Sequence, residues 1–252
     1  EIQQKVSMPD NPAIATTLNN IAYIYTSMGR YAEAEPLYEQ SLTIYEKALG
    51  AGHARVAVGL ANLAQLYMYE ERYAEAEPLY KKSFSILEKT FGPGHPLVAD
   101  LLANLGGLYQ RQRRFDEAVK LYKRSLEIIE KALGTNHPTL ATVLDNLGSL
   151  YRHQWLWEEA LPFIQRATTL RRRRGGAVLT TKSIGADTER KNNFSSFREH
   201  VDLAFTVAKT TPSREVALYE EAFEVIQLAQ VSSAGSAFAQ RTARFGSDNK
   251  VL

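Results

Sequence analysis

Apolar and polar positions follow the helical period over most of the chain. Between residues 54 and 95, Leu60, Leu63, Ala64 and Tyr67 fall at i, i+3, i+4 and i+7, which is one face of a helix. Glu70-Glu71-Arg72 then makes a polar turn, and a second stripe runs through Ala76, Leu79, Tyr80, Phe84 and Leu87. Gly92-Pro93-Gly94 ends that helix, because glycine accepts the left-handed cap conformation and proline cannot continue the helix. His95-Pro96 opens the next one, with proline at an early position where its missing N–H costs nothing.

The same two-helix pattern recurs every 42 residues. Asn20, Asn62, Asn104 and Asn146 keep that spacing, as do Tyr25, Tyr67, Tyr109 and Tyr151, and Ala34, Ala76, Ala118 and Ala160. An aromatic recurs at Tyr31, Tyr73, Phe115 and Trp157, a glycine at Gly50, Gly92 and Gly134, and a histidine at His53, His95 and His137. Each hairpin carries more apolar surface than it can bury alone, so neighbours must stack. The small alanines let the paired helices approach closely, and the aromatics fill the gap between hairpins. The pattern predicts an all-α solenoid of antiparallel helix pairs with repeats at 12–53, 54–95, 96–137 and 138–174. Residues 1–11 align with the end of a unit, Ile2 with Ile44 and Lys5 with Lys47, which suggests that a preceding repeat is cut through.

The last third reads differently. Residues 175–193 lack a period and read as a linker. Helical stripes return at Phe194, Phe197, Val201, Ala204 and Ala208, and again at Tyr219, Ala222, Phe223, Ile226 and Ala229. Ser196-x-x-Glu199 is a candidate capping box, and Thr211-Pro212 reads as a cap followed by a first-turn proline. Ala234, Ala237, Phe238, Arg241 and Phe245 suggest a short helix stopped by Gly246. Residues 194–246 thus form a degenerate helical hairpin plus a short helix, and 247–252 a tail.

The stretch Leu60-x2-Leu63-Ala64-x2-Tyr67…Ala76-x3-Tyr80 resembles the tetratricopeptide repeat. The 42-residue period, with Ala61-Asn62-Leu63-Ala64 near the start of a unit and Glu88-Lys89-Thr90-Phe91-Gly92 near its end, is similar to the kinesin-light-chain type. The resemblance covers about residues 12–170. It implies a right-handed superhelix of about four full repeats with a concave face that binds peptides. Glu221–Phe245 resembles a helical segment found where bacterial tetratricopeptide repeats precede a caspase-like peptidase domain of the CHAT family. That likeness implies a sensing or regulatory arm, with the peptidase beyond Leu252 as an intramolecular partner.

Composition narrows the chemistry. The 252 residues include no cysteine, which excludes disulfides, thiolate metal sites and a cysteine nucleophile within this sequence. Thirty basic and 28 acidic side chains give a net charge of +2, so nothing announces nucleic acid or an anionic membrane. No apolar run is long enough to span a bilayer, and the first residues do not have the arrangement of a signal peptide. These features point to the cytoplasm. There is no P-loop, dinucleotide fingerprint, H-E-x-x-H or G-x-S-x-G, so no catalytic residue, cofactor or metal site is expected. The three periodic histidines lie one helix-pair layer apart, roughly 10 Å, too far to share one ion. They are read as bracing the turn between repeats. Arg171–Arg174 form one short basic run without interleaved aromatics, which is weak ground for nucleic acid.

The candidate site is the face of each first helix that turns away from the buried stripe. The family resemblance implies peptide contacts there, at Asn19 and Tyr23 in the first repeat, Gln65, Met68 and Tyr69 in the second, Gln110 and Arg111 in the third, and Asp145, Arg152 and His153 in the fourth. The surface is apolar and aromatic toward the first repeats and basic toward the last. It suits a protein or peptide segment with an apolar anchor and an acidic end. A solvated helix face accounts for the same residues equally well. The four periodic asparagines are read as either turn-bracing groups or a ligand ladder.

Overall fold

The computed structural model describes residues 11–178 and 186–230. The chain divides into two units, Glu1–Leu133 and Gly134–Leu252. Among the described residues of the first unit are six helices: α1 (Pro12–Ser27), α2 (Tyr31–Leu49), α3 (Ala54–Tyr69), α4 (Tyr73–Phe91), α5 (Pro96–Arg111) and α6 (Phe115–Leu133). They pair as α1/α2, α3/α4 and α5/α6, and α2 packs on α3 as α4 packs on α5.

The periodic residues explain the pairing. Ala34, Ala76 and Ala118 are fully buried, and Tyr38, Tyr80 and Tyr122 fill the space beside them. At Gly106 an added Cβ would meet the Tyr122 ring at 3.0 Å, so a small residue there permits the helix crossing. One buried hydrogen bond stitches each hairpin. Ser41, Ser83 and Ser125 donate their hydroxyls to the carbonyls of Ala15, Ala57 and Ala99 at 2.7, 2.7 and 2.8 Å.

The joints between hairpins are equally regular. Gly50 and Gly92 close α2 and α4 at φ 86° and 84°, a region glycine enters without a Cβ penalty. His53 and His95 then act as N-caps. Their Nδ1 atoms accept from the amides of Arg55 and Leu97 at 3.1 and 3.2 Å, satisfying donors that the first helical turn leaves free. Asn11 does the same for Ala13 at 2.9 Å. The turn inside each hairpin carries a left-handed residue, Gly29, Glu71 or Arg113, at φ 72°, 61° and 62°. The next amide, of Arg30, Arg72 or Arg114, bonds back to the carbonyl of Tyr25, Tyr67 or Tyr109 at 2.9, 2.8 and 2.8 Å, which closes the first helix.

The described residues of the second unit form α7 (Thr139–His153), α8 (Trp157–Val178), α9 (Ala186–Thr210), a 3₁₀ turn (Pro212–Arg214) and α10 (Glu215–Gln230). Helices α7/α8 and α9/α10 pair, and α8 packs on α9. Ala160, Leu161, Ile164, Val201, Ala204, Val207, Leu218 and Ala222 make the core. The α7/α8 turn repeats the left-handed motif with Trp155 at φ 64°, and the Leu156 amide bonds to the Tyr151 carbonyl at 3.0 Å. A left-handed conformation costs a residue with a Cβ about 1–2 kcal/mol.

Several local expectations change here. Helix α8 continues to Val178 and α9 begins at Ala186, so both enter the stretch read as a linker. Ser196 lies inside α9 and is not a cap; its hydroxyl is used in side-chain bonds. Thr211 is the N-cap of the 3₁₀ turn, with Pro212 in its first turn as expected, but its side chain makes no cap bond; the hydroxyl donates to Glu158 at 2.6 Å instead. Phe223, assigned to the buried stripe of α10, is 60% exposed, while Ala222 and Val225 carry the packing. The side chains of Phe194 and Ala229 and the short helix expected at Ala234–Phe245 lie outside the described residues.

Candidate functional site

In the first unit the candidate residues sit on α1, α3 and α5, and the second helix of each hairpin fixes several of them. Tyr80, buried beside Ala76, donates its hydroxyl to Gln65 Oε1 at 3.1 Å. Tyr122 does the same to Gln110 Oε1 at 3.1 Å. Burial raises the pKa of both phenols, so they stay protonated and remain donors. With the amide oxygen engaged, the –NH2 group of each glutamine is the end left to meet a ligand. Asn62 Nδ2 donates to Asn19 Oδ1 at 3.1 Å, joining α1 to α3 and orienting the Asn19 amide in the same sense.

Aromatic side chains flank these amides. Tyr23 is 63% exposed and Tyr69 52%. The Tyr31 ring stacks on Tyr69 with centroids 6.2 Å apart and planes 13° from parallel. Both Tyr23 and Tyr69 lie near enough to Tyr38 to raise its pKa, though burial is the main cause. Met68 is half-buried beside them, and Arg111 is exposed at the end of α5 with its charge felt by Tyr122. The arrangement offers flat apolar contact at α1 and α3, amide donors along α3 and α5, and one guanidinium at the far side.

The fourth-repeat candidates are engaged within their own unit. Arg171 holds Asp145 through both guanidinium nitrogens, Nη1 at 2.9 Å from Oδ1. Arg171 Nη1 also donates to Ser196 Oγ at 2.7 Å, and Ser196 Oγ donates to Asp145 Oδ1 at 3.2 Å. Arg152 pairs with Glu199 of α9 at 3.3 Å. Burial pushes the Glu199 carboxyl above its ordinary value even though Arg152 pulls it down. His153, by contrast, is exposed. Arg171 is therefore a buried anchor rather than a free cation, and Arg172 lies 3.8 Å from Glu224. His200, which the pattern leaves isolated, is 3% exposed and sits 2.7 Å from Glu221 Oε1. Glu221 Oε2 in turn accepts from Gln165 at 2.8 Å.

A repeating ion-pair joint accompanies the amide strip and was not anticipated. Arg72 donates to both oxygens of Glu35 on the preceding hairpin at 3.0 and 3.1 Å, to Glu75 and to Glu70. Its guanidinium lies 4.0 Å over the Tyr67 ring. Arg114 repeats the arrangement with Glu77 and Glu117, 3.7 Å over Tyr109. The 42-residue spacing of Arg30, Arg72 and Arg114, and of Glu35 and Glu77, is the signal that could have found it.

The profile of the tetratricopeptide repeat matches residues 1–47, 13–89, 55–131 and 98–173. The chain belongs to the tetratricopeptide repeat family. Solved structures with the same fold include BtubC (BKLC) from P. vanneervenii, with TM-score 0.66 and 21% identity over 85% of this chain and 80% of that one. A putative kinesin light chain of Podosopora anserina with nearly identical TPR-like repeats aligns with TM-score 0.65 and 21% identity over 88% and 100% of the two chains. The apo form of RapI aligns with TM-score 0.57 and 17% identity over 91% and 89%. No curated protein matches the sequence. The solved neighbours are kinesin-light-chain-like and other tetratricopeptide repeat proteins, and the shared fold is that of an all-α helical solenoid. Such arrays generally serve as protein-interaction scaffolds. Among the described residues, no helix is long and apolar enough to cross a membrane.

Proposed function

We propose that this tetratricopeptide repeat chain is a non-catalytic scaffold that binds an extended peptide segment along α1, α3 and α5. The observation that carries the reading is the orientation of Gln65 and Gln110 by Tyr80 and Tyr122. Two amides held with their oxygens occupied favour acceptors, and the main-chain carbonyls of an extended peptide supply them at regular spacing. Adjacent helix layers lie about 8–10 Å apart, and an extended chain rises about 3.3 Å per residue. One repeat therefore meets roughly every third residue of the ligand. Tyr23 and Tyr69 receive an apolar or aromatic anchor, and Arg111 an acidic end. Asp145 and Arg152, already paired internally, are secondary to this surface.

The test is selection of binders from a displayed peptide library, followed by titration calorimetry. Tyr69→Ala with Arg111→Glu should weaken a selected peptide at least tenfold. Ser83→Ala, away from the surface, should leave the affinity unchanged. Equal affinity for all three proteins would remove this face from the reading.

A second reading follows from the resemblance of Glu221–Phe245 to the segment preceding caspase-like peptidases. The repeats would then sense a signal for a protease domain carried elsewhere in the parent protein. Deleting residues 12–170 from a parent carrying that domain should abolish regulation; unaltered regulation would reject the idea.

A further inference from the structure

Three glycines inside the helices are explained by packing. A Cβ at Gly59 would press on the Leu42 side chain, one at Gly106 on the Tyr122 ring, and one at Gly148 on Ile164. Gly107 is different. A Cβ there would lie 3.5 Å from the Tyr122 hydroxyl, an ordinary contact, and among the described residues it would meet nothing else within 4 Å outside its own helix. Glycine inside a helix costs stability relative to any residue but proline. Room for a side chain is present here, and packing does not require its absence.

Gly107 lies on the candidate face. At the 42-residue spacing it holds the position of Tyr23 in α1 and Gln65 in α3. In the second hairpin the Gln65 side chain fills that position, and its amide oxygen accepts from the Tyr80 hydroxyl at 3.1 Å. In the third the position is empty, and the equivalent phenol of Tyr122 donates to Gln110 Oε1 instead, also at 3.1 Å. Ala103 precedes Gly107 by four residues, and Gln110 and Arg111 follow it by three and four. Those spacings make them its neighbours on the helix surface. Ala103 is half-buried and Arg111 exposed. The Arg111 charge acts on the Tyr122 hydroxyl beneath the gap.

We propose that the gap over Gly107 is a subsite for a glutamate side chain of the bound peptide, an inference that rests on the peptide-binding face proposed above. The glutamate stem takes the volume that Gln65 fills one hairpin earlier. Its carboxylate accepts from the free –NH2 group of Gln110 and pairs with Arg111. Glutamate matches Gln65 in length, and the guanidinium selects the charged member of that pair. Bonds to an ionised acceptor are stronger than neutral ones. A lysine or arginine would be repelled by Arg111.

The test is a random peptide library selected in parallel on the full chain and on its Gly107→Gln variant. The wild type should enrich peptides with a glutamate at a fixed distance from an apolar anchor, and the variant should not. In calorimetry, replacing that glutamate by glutamine should weaken a selected peptide about tenfold on the wild type. The same replacement should change little on Gly107→Gln or on Arg111→Gln. Gly107→Gln should melt at or above the wild-type temperature, because it restores a better helix former, which separates a filled subsite from misfolding. Enrichment of an apolar or basic residue in place of glutamate, or an equal loss on all three proteins, would overturn the proposal. If Tyr69→Ala weakens the selected peptide and Gly107→Gln does not, the peptide face stands and the glutamate subsite falls. If neither weakens it, the face itself falls.

Discussion

Individual side chains in this protein are fixed mainly by what the partner helix leaves room for. Gly148 is the sharpest instance, since a Cβ there would lie 2.3 Å from Ile164 Cδ1. Gly148→Ala should destabilise the second unit by about 1–3 kcal/mol through overpacking, read by urea denaturation. Ile164→Ala removes both overlapping atoms, Cδ1 at 2.3 Å and Cγ1 at 2.6 Å, so Gly148→Ala should cost less on that background than alone; an equal cost would mean that another contact limits the crossing. Ala22, Ala64, Gly106 and Gly148 keep the 42-residue spacing as small residues. The depth of the contact is not legible from that spacing, because it depends on which rotamer the facing Tyr122 or Ile164 adopts. The same limit applies to Phe223, whose place in the apolar stripe was plausible by period alone, while the packing was decided by Leu218, Ala222 and Val225.

Paired elements are held by charge as well as by packing, and two carboxylates, Glu35 and Glu199, respond oppositely to acid. The Arg72 guanidinium bonded to Glu35 holds that carboxyl below its ordinary value of 4.5. A lowered folded pKa contributes stability above the unfolded value, and that contribution is lost as pH falls through the folded one. Melting temperature should therefore drop below about pH 4.5 more steeply in the wild type than in Glu35→Gln, measured by circular dichroism. For Glu199 the sign reverses. Burial raises its pKa above 4.5, so the charged form costs stability at neutral pH, and protonation relieves that cost as pH falls. Glu199→Gln should melt higher than wild type at pH 7, with the difference vanishing below about pH 4.5. A lower melting temperature at pH 7 would mean that the pair with Arg152 outweighs the burial. Helix pairing and the glycine–histidine joints were readable along the sequence because each uses residues 42 apart. The network of Asp145, Arg171, Ser196 and Glu199 was not, because its members come from three helices with no common spacing. The family resemblance offered Asp145 and Arg152 as ligand contacts without showing these partners, and the spacing offered Ser196 as a cap.

For the molecule as a whole, the repeat decides what can be tested in isolation. Residues 1–133 hold three complete hairpins within one unit, about the number such arrays need for stability. That piece should unfold cooperatively and bind a selected peptide within threefold of the full chain. A larger loss would place essential contacts beyond residue 133. The face of α1, α3 and α5 was legible as a candidate from the family resemblance; the preset direction of its amides was not, because Tyr80 and Tyr122 lie 15 and 12 residues from the glutamines they orient. The joints carry a separate consequence for how such a gene changes. Gly50 with His53, Gly92 with His95 and Gly134 with His137 present the same connection at the same spacing. Unequal crossing-over between two copies would insert or delete 42 residues while preserving the frame, the glycine turn and the histidine cap. Length is therefore the trait this architecture can alter in one genetic step, whereas a new ligand preference must accumulate one exposed residue at a time.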